Sequence, residues 1–185
     1  ASAMQIDTAT RRSLELTHGT SGGRAGSLLA TIDRTVTAGG ARLLERRLSS
    51  PSCTLSVIAE RHSSVAYFVG NTRLAKDLRD TLRGVHDLDR ALSRLALERG
   101  GPRDLKAIAD AIDEGAAIAR TLASLETGLP ETIAEAAAAL DPAKQEDLKA
   151  LASDLAAALA EDLPALPRDG GFIADGWDTA LDEAQ

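Results

Sequence analysis

Apolar residues recur every three or four positions over most of the chain, which predicts a series of amphipathic α-helices. Gly70-Asn71, Gly84, Gly100 and the segment 128–130 interrupt the pattern and mark the predicted helix ends. The repeating apolar positions are Leu55, Ile58, Ala59, Val65, Ala66, Phe68 and Val69; Leu74, Leu78 and Leu82; Leu88, Leu92 and Leu95; Leu105, Ile108, Ile112, Ala116, Ala119 and Leu122; and Leu148, Leu151, Leu155 and Leu159.

Two short segments show a pattern closer to that of β-strands. In residues 11–17, Leu14 and Leu16 alternate with polar residues, as in a half-buried strand. Residues 171–174 form a second apolar run beside Asp-Gly turn signals. We expect the second segment to pair with the first or to pack beside it.

A glycine-rich stretch, residues 22–51, connects the first predicted strand to the helices. Gly22, Gly23 and Gly26 predict a tight loop, because glycine adopts positive φ without a Cβ penalty. Ser27 is placed to cap a short helix. The pair at residues 39–40 predicts an interruption before a second helix that Pro51 ends.

Composition supports a helical class for the whole chain. Aromatic residues make up only 2% of the 185 residues, so the interior is expected to be aliphatic. The length suits one domain, or one domain with a small appendage. We therefore predict an all-α fold with one or two short strands.

Cysteine content and hydropathy indicate in which cellular compartment the chain is expected. The single cysteine, Cys53, excludes an intrachain disulfide and a cysteine-based metal cluster, which fits a reducing cytoplasm. No run of about 18 apolar residues and no leader pattern occurs, which predicts no membrane span or secretory signal. Met4 follows three small residues. We therefore interpret residues 1–4 as an N-terminal tail that is a cloning remnant, and the chain as an excised fragment.

Charge is spread unevenly along the chain. Residues 1–110 carry a net charge of +5 and residues 111–185 carry −12. The basic half suggests a DNA-binding module, whose affinity for duplex DNA would depend on salt. Its arginines, however, interleave with acids at helical spacing, which favours an ion-paired, solvated surface. We expect weak DNA binding or none.

One motif suggests nucleophilic catalysis. Residues 19–23 read Gly-Thr-Ser-Gly-Gly and match the G-x-S-x-G pattern, with Ser21 as the nucleophile. Such an elbow needs a parallel sheet and a histidine held by an acid, which a helical chain does not offer. Glycine and serine in a turn for conformational reasons are the favoured interpretation.

Other polar candidates are assigned ordinary roles. His18, His62 and His86 lack metal-ligand spacing and are predicted to be surface residues. The acidic pairs Asp87/Asp89 and Asp182/Glu183 are interpreted as helix-start charges. Trp177 has acidic neighbours that would repel phosphate, so we interpret it as a packing anchor. No catalytic, cofactor-binding or metal-binding residue is predicted.

Several separated blocks, in the right order, resemble the core domain of the MutS DNA mismatch-repair family. The first block contains Leu14, Glu15 and Leu16, then Gly26 to Leu29, and then Asp33, Arg34, Thr35, Thr37, Gly40, Arg42, Leu43 and Leu44. Later blocks are residues 87–90, 92–95, 102–105, 169–173, 176–178 and 181–183. Ser13, Gly39 and Ser63 depart from the family pattern.

The resemblance implies a non-catalytic core and lever segment (domain III) of a mismatch-repair ATPase. It implies a helical core over residues 5–128, and lever helices over 129–185 that lead to a clamp domain absent from this chain. It also implies connector, clamp and ATPase domains as partners, and a homodimeric parent that binds mismatched DNA. No G-x-x-x-x-G-K-[ST] loop occurs here, so ATP and Mg²⁺ are expected only in the parent. An independent helical adaptor that binds another protein is the alternative hypothesis.

Overall fold

The computed structural model describes residues 3–125, 128–164 and 166–183, which are mostly helical. Ten α-helices lie within these ranges, so the predicted all-α class is confirmed. They are α1 (Thr8–Ser13), α2 (Leu28–Ile32), α3 (Ala38–Ser49), α4 (Leu55–Gly70), α5 (Thr72–Leu82), α6 (Leu88–Ala96), α7 (Pro102–Ala123), α8 (Glu131–Ala139), α9 (Glu146–Ala158) and α10 (Thr179–Asp182). Short 3₁₀ turns occupy Pro142–Lys144 and Pro167–Asp169.

The chain divides into two compact units. The N-terminal unit comprises Ala1–Arg83 with Leu129–Ile133, and the C-terminal unit comprises Gly84–Gly128 with Ala134–Gln185. The assignment of residues 5–128 to a core and 129–185 to a lever concerns function and stays a prediction.

The strand predicted over residues 11–17 is wrong. Asp7 accepts a hydrogen bond from the Thr10 amide at 2.9 Å and caps α1, which runs through Ser13. Turns follow, with Glu15 at a φ of 47°. Leu16 is buried and Leu14 exposed, so the alternation reflects a turn and not a strand. Two apolar residues are too few to override a good helix cap.

The glycine-rich stretch forms two helices, as predicted, but the break between them does not lie at the predicted position. Ser27 caps α2 by accepting a hydrogen bond from the Ala30 amide at 3.1 Å, as expected. The predicted interruption at residues 39–40 is wrong, because both glycines lie in the first turn of α3. Thr37 caps that helix through the Gly40 amide, so the break falls between α2 and Thr37.

The N-terminal residues that the structure describes are attached to this unit. Ala3 forms an isolated antiparallel bridge with Ser52, and the Met4 amide donates to the Pro51 carbonyl at 2.8 Å. The origin of residues 1–4 as a cloning remnant stays a prediction.

The C-terminal unit is built on α6, α7 and α9. Asp87 caps α6 as predicted, but α6 ends at Ala96 and not near Gly100, because Glu98 adopts a φ of 55°. The second predicted strand reduces to one isolated bridge between Ile173 and Leu159, so its expected pairing with residues 11–17 is wrong. Within the described ranges, no helix has the length and apolarity required to cross a membrane.

Candidate functional site

A packing core joins three helices of the C-terminal unit. Its buried residues are Ala91 of α6, Ile108 and Ile112 of α7, and Leu155 of α9. Partly buried apolar residues surround them: Leu95, Leu105, Ala107, Ala109, Leu148 and Ala152. Each of the three helices presents one apolar face to this core, which fixes the 22-residue α7 along its first half.

The first turn of α7 is tied to α6 by one carboxylate. Asp104 accepts a hydrogen bond from the Gly101 amide at 2.9 Å and from Arg94 Nε of α6 at 3.0 Å. Pro102 occupies the first helical position, where its missing amide hydrogen costs nothing. Asp104 therefore both caps α7 and sets the position of its start beside α6.

We expect Asp104→Ala to lower the free energy of unfolding by about 1–2 kcal/mol, because it leaves the Gly101 amide without its acceptor. Arg94→Ala removes only the half-exposed ion pair and is expected to cost at most about 1 kcal/mol. Urea denaturation of the two variants measures the difference. Equal losses would show that the cap contributes nothing beyond the ion pair.

Beyond the packing core, Gly115 of α7 lies close to Leu140, where glycine contributes no Cβ. Gly115 is buried in the middle of α7, and a Cβ built there would lie 3.3 Å from Leu140 Cδ2. Glycine in a helix interior is destabilising by about 1 kcal/mol relative to alanine. The Leu140 side chain leaves little room for a Cβ at this position.

The glycine-rich loop of the N-terminal unit is a closed turn. The Gly19 amide donates to the Gly23 carbonyl at 2.8 Å, and a Cβ on Gly19 would lie 2.4 Å from the Ala25 carbonyl oxygen. Gly22 and Gly26 adopt positive φ, as the sequence predicts, whereas Gly23 does not. Backbone bonds from Leu28 to Glu15 and from Leu29 to Leu16, both 2.9 Å, hold α2 against the segment before the loop.

A cavity of about 310 Å³ opens beside this loop. Arg11 and Arg12 of α1 line it together with His18, and the lining is completed by Thr8, Thr17, Gly19, Thr20 and Gly22. The carboxylate of Glu15 accepts a hydrogen bond from the Thr20 amide at 2.7 Å. The two arginines give the lining a positive charge, which Glu15 at the same loop offsets in part.

Hydrogen bonds lower the pKa of two carboxylates in the N-terminal unit. The Thr35 hydroxyl donates to Asp33 at 2.6 Å and the Thr35 amide donates at 2.9 Å, and these bonds, with nearby Arg24, lower the pKa of Asp33. The Thr10 hydroxyl and amide likewise lower the pKa of Asp7. Partial desolvation, with Arg61 and Arg46 nearby, lowers the pKa of Arg47, although the residue as a whole is exposed.

We expect Asp33 to stabilise the fold only when it is ionised. Its folded-state pKa lies below the unfolded value of about 3.9, so its contribution is fully present above that pH and is lost as pH falls through the folded pKa. The advantage of the native protein over Asp33→Asn should therefore shrink below about pH 4. Urea denaturation at a series of pH values measures it.

Thr35→Val provides the matched variant, because it removes the hydroxyl donor and keeps the side-chain shape. We expect it to raise the pKa of Asp33 toward the ordinary value, as read from the carboxyl resonance in an NMR titration. An unchanged pKa would mean that Thr35 does not hold it down.

The hydrolase hypothesis for Ser21 lacks its required framework. A turn contains Ser21, and the segment before it is α1 followed by turns, not a strand. His18 is exposed, and its Nδ1 lies 3.0 Å from Thr17 Oγ1. The structure thus supports the conformational interpretation of this motif.

The remaining polar and aromatic candidates lie in different parts of the chain. His62 and His86 are exposed, which agrees with their predicted surface positions. Asp87 caps α6 and Asp182 accepts a hydrogen bond from the Gly176 amide at 3.0 Å. Trp177 is 46% exposed, so its interpretation as a packing anchor is wrong. Among the residues that the structure describes, no group of three or more His, Cys, Asp or Glu side chains is arranged to hold a metal ion.

Sequence reasoning missed the role of Asp104 and the cavity beside the glycine loop. The spacing of Gly101-Pro102 and an acid at the third helical position is a known cap signal and was available in the sequence. The cavity depends on how the loop folds back onto α1, which local sequence does not reveal.

Comparison with known proteins identifies relatives over nearly the whole chain. A family model described as MutS domain III matches residues 9–184. The DNA mismatch repair protein MutS of Paracoccus denitrificans is 56% identical over 183 residues, which is 99% of this chain and 20% of that protein. MutS of Ruegeria pomeroyi is 55% identical over 182 residues, 98% of this chain and 20% of that protein. The chain thus spans about one fifth of the length of these curated relatives.

Proposed function

This chain belongs to the MutS family of DNA mismatch-repair proteins, as its domain III, and on that premise we propose that it acts as a non-catalytic core and lever segment. In this role it joins the connector, clamp and ATPase domains of the parent protein and transmits conformational change between them. The match of the family model across residues 9–184 is the observation that carries the proposal.

The packing of α7 supports a mechanical role. At about 1.5 Å per residue, its 22 residues extend roughly 33 Å. Residues of α6 and α9 hold its first half through one closely packed core. Packed interfaces switch between discrete arrangements and do not deform smoothly, so repacking this core would shift α7 together with the contacts of its second half, where Ile118 and Leu122 are buried.

The nucleotide chemistry is proposed to lie outside this chain. ATP and Mg²⁺ belong to the ATPase domain of the parent, which we propose to be a cytoplasmic homodimer that binds mismatched DNA. This segment alone is proposed to bind duplex DNA weakly or not at all, because carboxylates pair with Arg24, Arg83 and Arg94. Family membership supports this role over that of an independent adaptor.

Ile112→Thr in the full-length parent protein tests the lever role. The substitution keeps a β-branched side chain of smaller volume and introduces a hydroxyl into the core that joins α7 to α9. We expect ATP-induced release from a mismatched duplex to slow at least tenfold, while mismatch binding and basal ATP hydrolysis stay within about twofold of the unsubstituted protein. Release is followed by stopped-flow fluorescence.

Asp113→Ala is the matched control, because Asp113 is the next residue of α7 and is exposed. We expect it to leave release unchanged. Circular dichroism confirms that both variants are folded. Unchanged release in a folded Ile112→Thr protein would contradict the lever proposal.

A further inference from the structure

The cavity beside the glycine-rich loop has a lining suited to a polar ligand. Its volume of about 310 Å³ lies at the lower end of the range for small-molecule sites. Threonine, arginine, histidine and glycine form the part of the lining that the structure describes, without a large aliphatic side chain. An apolar ligand would therefore find few partners here, whereas a charged one would keep its hydrogen bonds on leaving water.

The two arginines of the lining have unused hydrogen-bond donors. Arg11 and Arg12 lie in the last turn of α1. Neither guanidinium forms an ion pair within the described ranges, and the bond from Arg11 Nη2 to the Ile6 carbonyl is long, at 3.4 Å. A guanidinium presents five N–H donors in a rigid fork that matches the oxygens of an oxyanion. Most donors of this pair are therefore available to a ligand.

The two carboxylates near the arginines are engaged by their own turns. Asp7 accepts hydrogen bonds from the Thr10 amide at 2.9 Å and from its hydroxyl at 2.6 Å. Glu15 accepts one from the Thr20 amide at 2.7 Å. Neither carboxylate belongs to the lining that the structure describes, so the charges at the cavity wall are those of the two guanidiniums.

The loop adds further polar groups that are already held in place. Thr17 is buried, and its Oγ1 lies 3.0 Å from His18 Nδ1, which leaves the Nε2 atom of this ring for a ligand. The loop is closed by bonds from the Gly19 amide to the Gly23 carbonyl at 2.8 Å and from the Gly22 amide to the Gly19 carbonyl at 2.9 Å. A lining fixed in this way loses little freedom on binding, which favours affinity.

We propose that this cavity binds a small phosphate monoester, held by the guanidiniums of Arg11 and Arg12. Such a group carries a charge of about −1.5 to −2 at pH 7 and three strong acceptor oxygens, so it can engage both guanidiniums together with hydroxyl and imidazole donors. A carboxylate offers one charge and two oxygens. Specific binding of duplex DNA uses about 1,000 Å² or more of protein surface, which favours a free small molecule in a cavity of this size.

Titration of the 185-residue chain with inorganic phosphate tests the proposal. Sodium chloride keeps the ionic strength constant, so that general screening of surface charge does not change. Heteronuclear NMR follows the backbone amides of Gly19, Thr20 and Gly22 and the Nε–H groups of Arg11 and Arg12. We expect these resonances to shift together, with half-saturation below about 10 mM phosphate, because so small a ligand gains limited binding energy.

Arg12→Gln removes one guanidinium from the lining. We expect it to raise the phosphate concentration at half-saturation by about tenfold or more, because a charge-assisted bidentate contact is lost. Arg73→Gln is the matched control, since it makes the same charge change on α5, where the side chain is 96% exposed and is not part of the lining. It should leave half-saturation within about twofold. Arg11→Gln provides a second variant if Arg12→Gln loses the helical circular dichroism of the unsubstituted chain.

Three further probes distinguish the source of the anion. Glycerol 3-phosphate should bind at least as tightly as inorganic phosphate, because the cavity has room for the organic part of a monoester. Acetate should bind more weakly. A short DNA duplex should leave the loop resonances unchanged at the concentrations at which phosphate saturates them.

Saturable shifts that Arg12→Gln weakens and Arg73→Gln does not, with glycerol 3-phosphate admitted, support the proposal. Shifts that stay linear with concentration, or that Arg12→Gln leaves unchanged, overturn it. Exclusion of glycerol 3-phosphate, equal binding of acetate, or tighter binding of the duplex at the same resonances also overturns it. The site goes beyond the lever role and is tested without ATP or a mismatch, so its failure is distinct from a failure of the lever proposal, which the release kinetics of Ile112→Thr report.

Discussion

Leu29→Ala is expected to lower the free energy of unfolding of the N-terminal unit by about 2–5 kcal/mol. Leu29 is 1% exposed, and its amide donates to the carbonyl of Leu16, which is also buried. Truncation would remove several buried methyl and methylene groups and leave a cavity, because backbone bonds from Leu28 and Leu29 fix the start of α2 against residues 15–16. The effect is measured by urea denaturation.

Leu28→Ala is the control that separates burial from helix propensity. Leu28 is the preceding residue of the same helix and undergoes the same chemical change, but it is 42% exposed. We expect it to cost no more than about half as much as Leu29→Ala. Similar losses for the two variants would contradict the assignment of Leu29 to a closed interior.

Leu155→Ala is expected to lower the free energy of unfolding of the C-terminal unit by a similar 2–5 kcal/mol. Leu155 is the buried residue that α9 contributes to the core formed with Ile108 and Ile112. Because α9 contacts α7 through this core, the loss should reduce the protection of α7 amides against hydrogen exchange as well as the global stability.

Leu151→Ala on the same helix is the matched control. Leu151 lies one turn before Leu155 and is 43% exposed, so its truncation is expected to have a much smaller effect. A double-mutant cycle of Leu155→Ala with Ile112→Ala should show non-additive losses, since both side chains belong to one packed core. Full additivity would indicate that the two residues do not share a core.

The two substitutions also report on the independence of the compact units. Leu29 lies in the N-terminal unit and Leu155 in the C-terminal unit. If each unit unfolds as its own cooperative block, each variant shifts a separate transition. If the chain unfolds in one step, both variants shift the same midpoint.

The structure changes how the resemblance to MutS is understood at the residue level. In the Gly-Ser-Leu-Leu block, Ser27 caps α2, Leu28 is half-exposed and Leu29 is buried. In the Asp-Arg-Thr block, Asp33 accepts two hydrogen bonds from Thr35, and Thr37 caps α3. These motif residues therefore act in local folding, which explains their spacing without any catalytic role.

Local sequence was sufficient to predict features that depend on neighbouring residues. Helices α2, α5 and α7, and the cap of α6 by Asp87, follow from apolar spacing and from polar residues at helix starts. Wherever two local signals competed, the prediction failed. Residues 11–17 alternate like a strand, but the Asp7 cap extends a helix into them. Residues 39–40 resemble a break, but Thr37 starts a helix that includes them.

The sequence by itself determined that this chain is helical, where several of its helices start, and to which family it belongs, because caps, apolar spacing and motif order are properties of neighbouring residues. Only the tertiary structure decided which apolar faces meet. The apolar positions of α4 and α7 have the same periodicity, yet Val69 is exposed and Ile112 is buried. Periodicity gives the direction of a face along one helix, whereas burial depends on whether a distant segment packs against it.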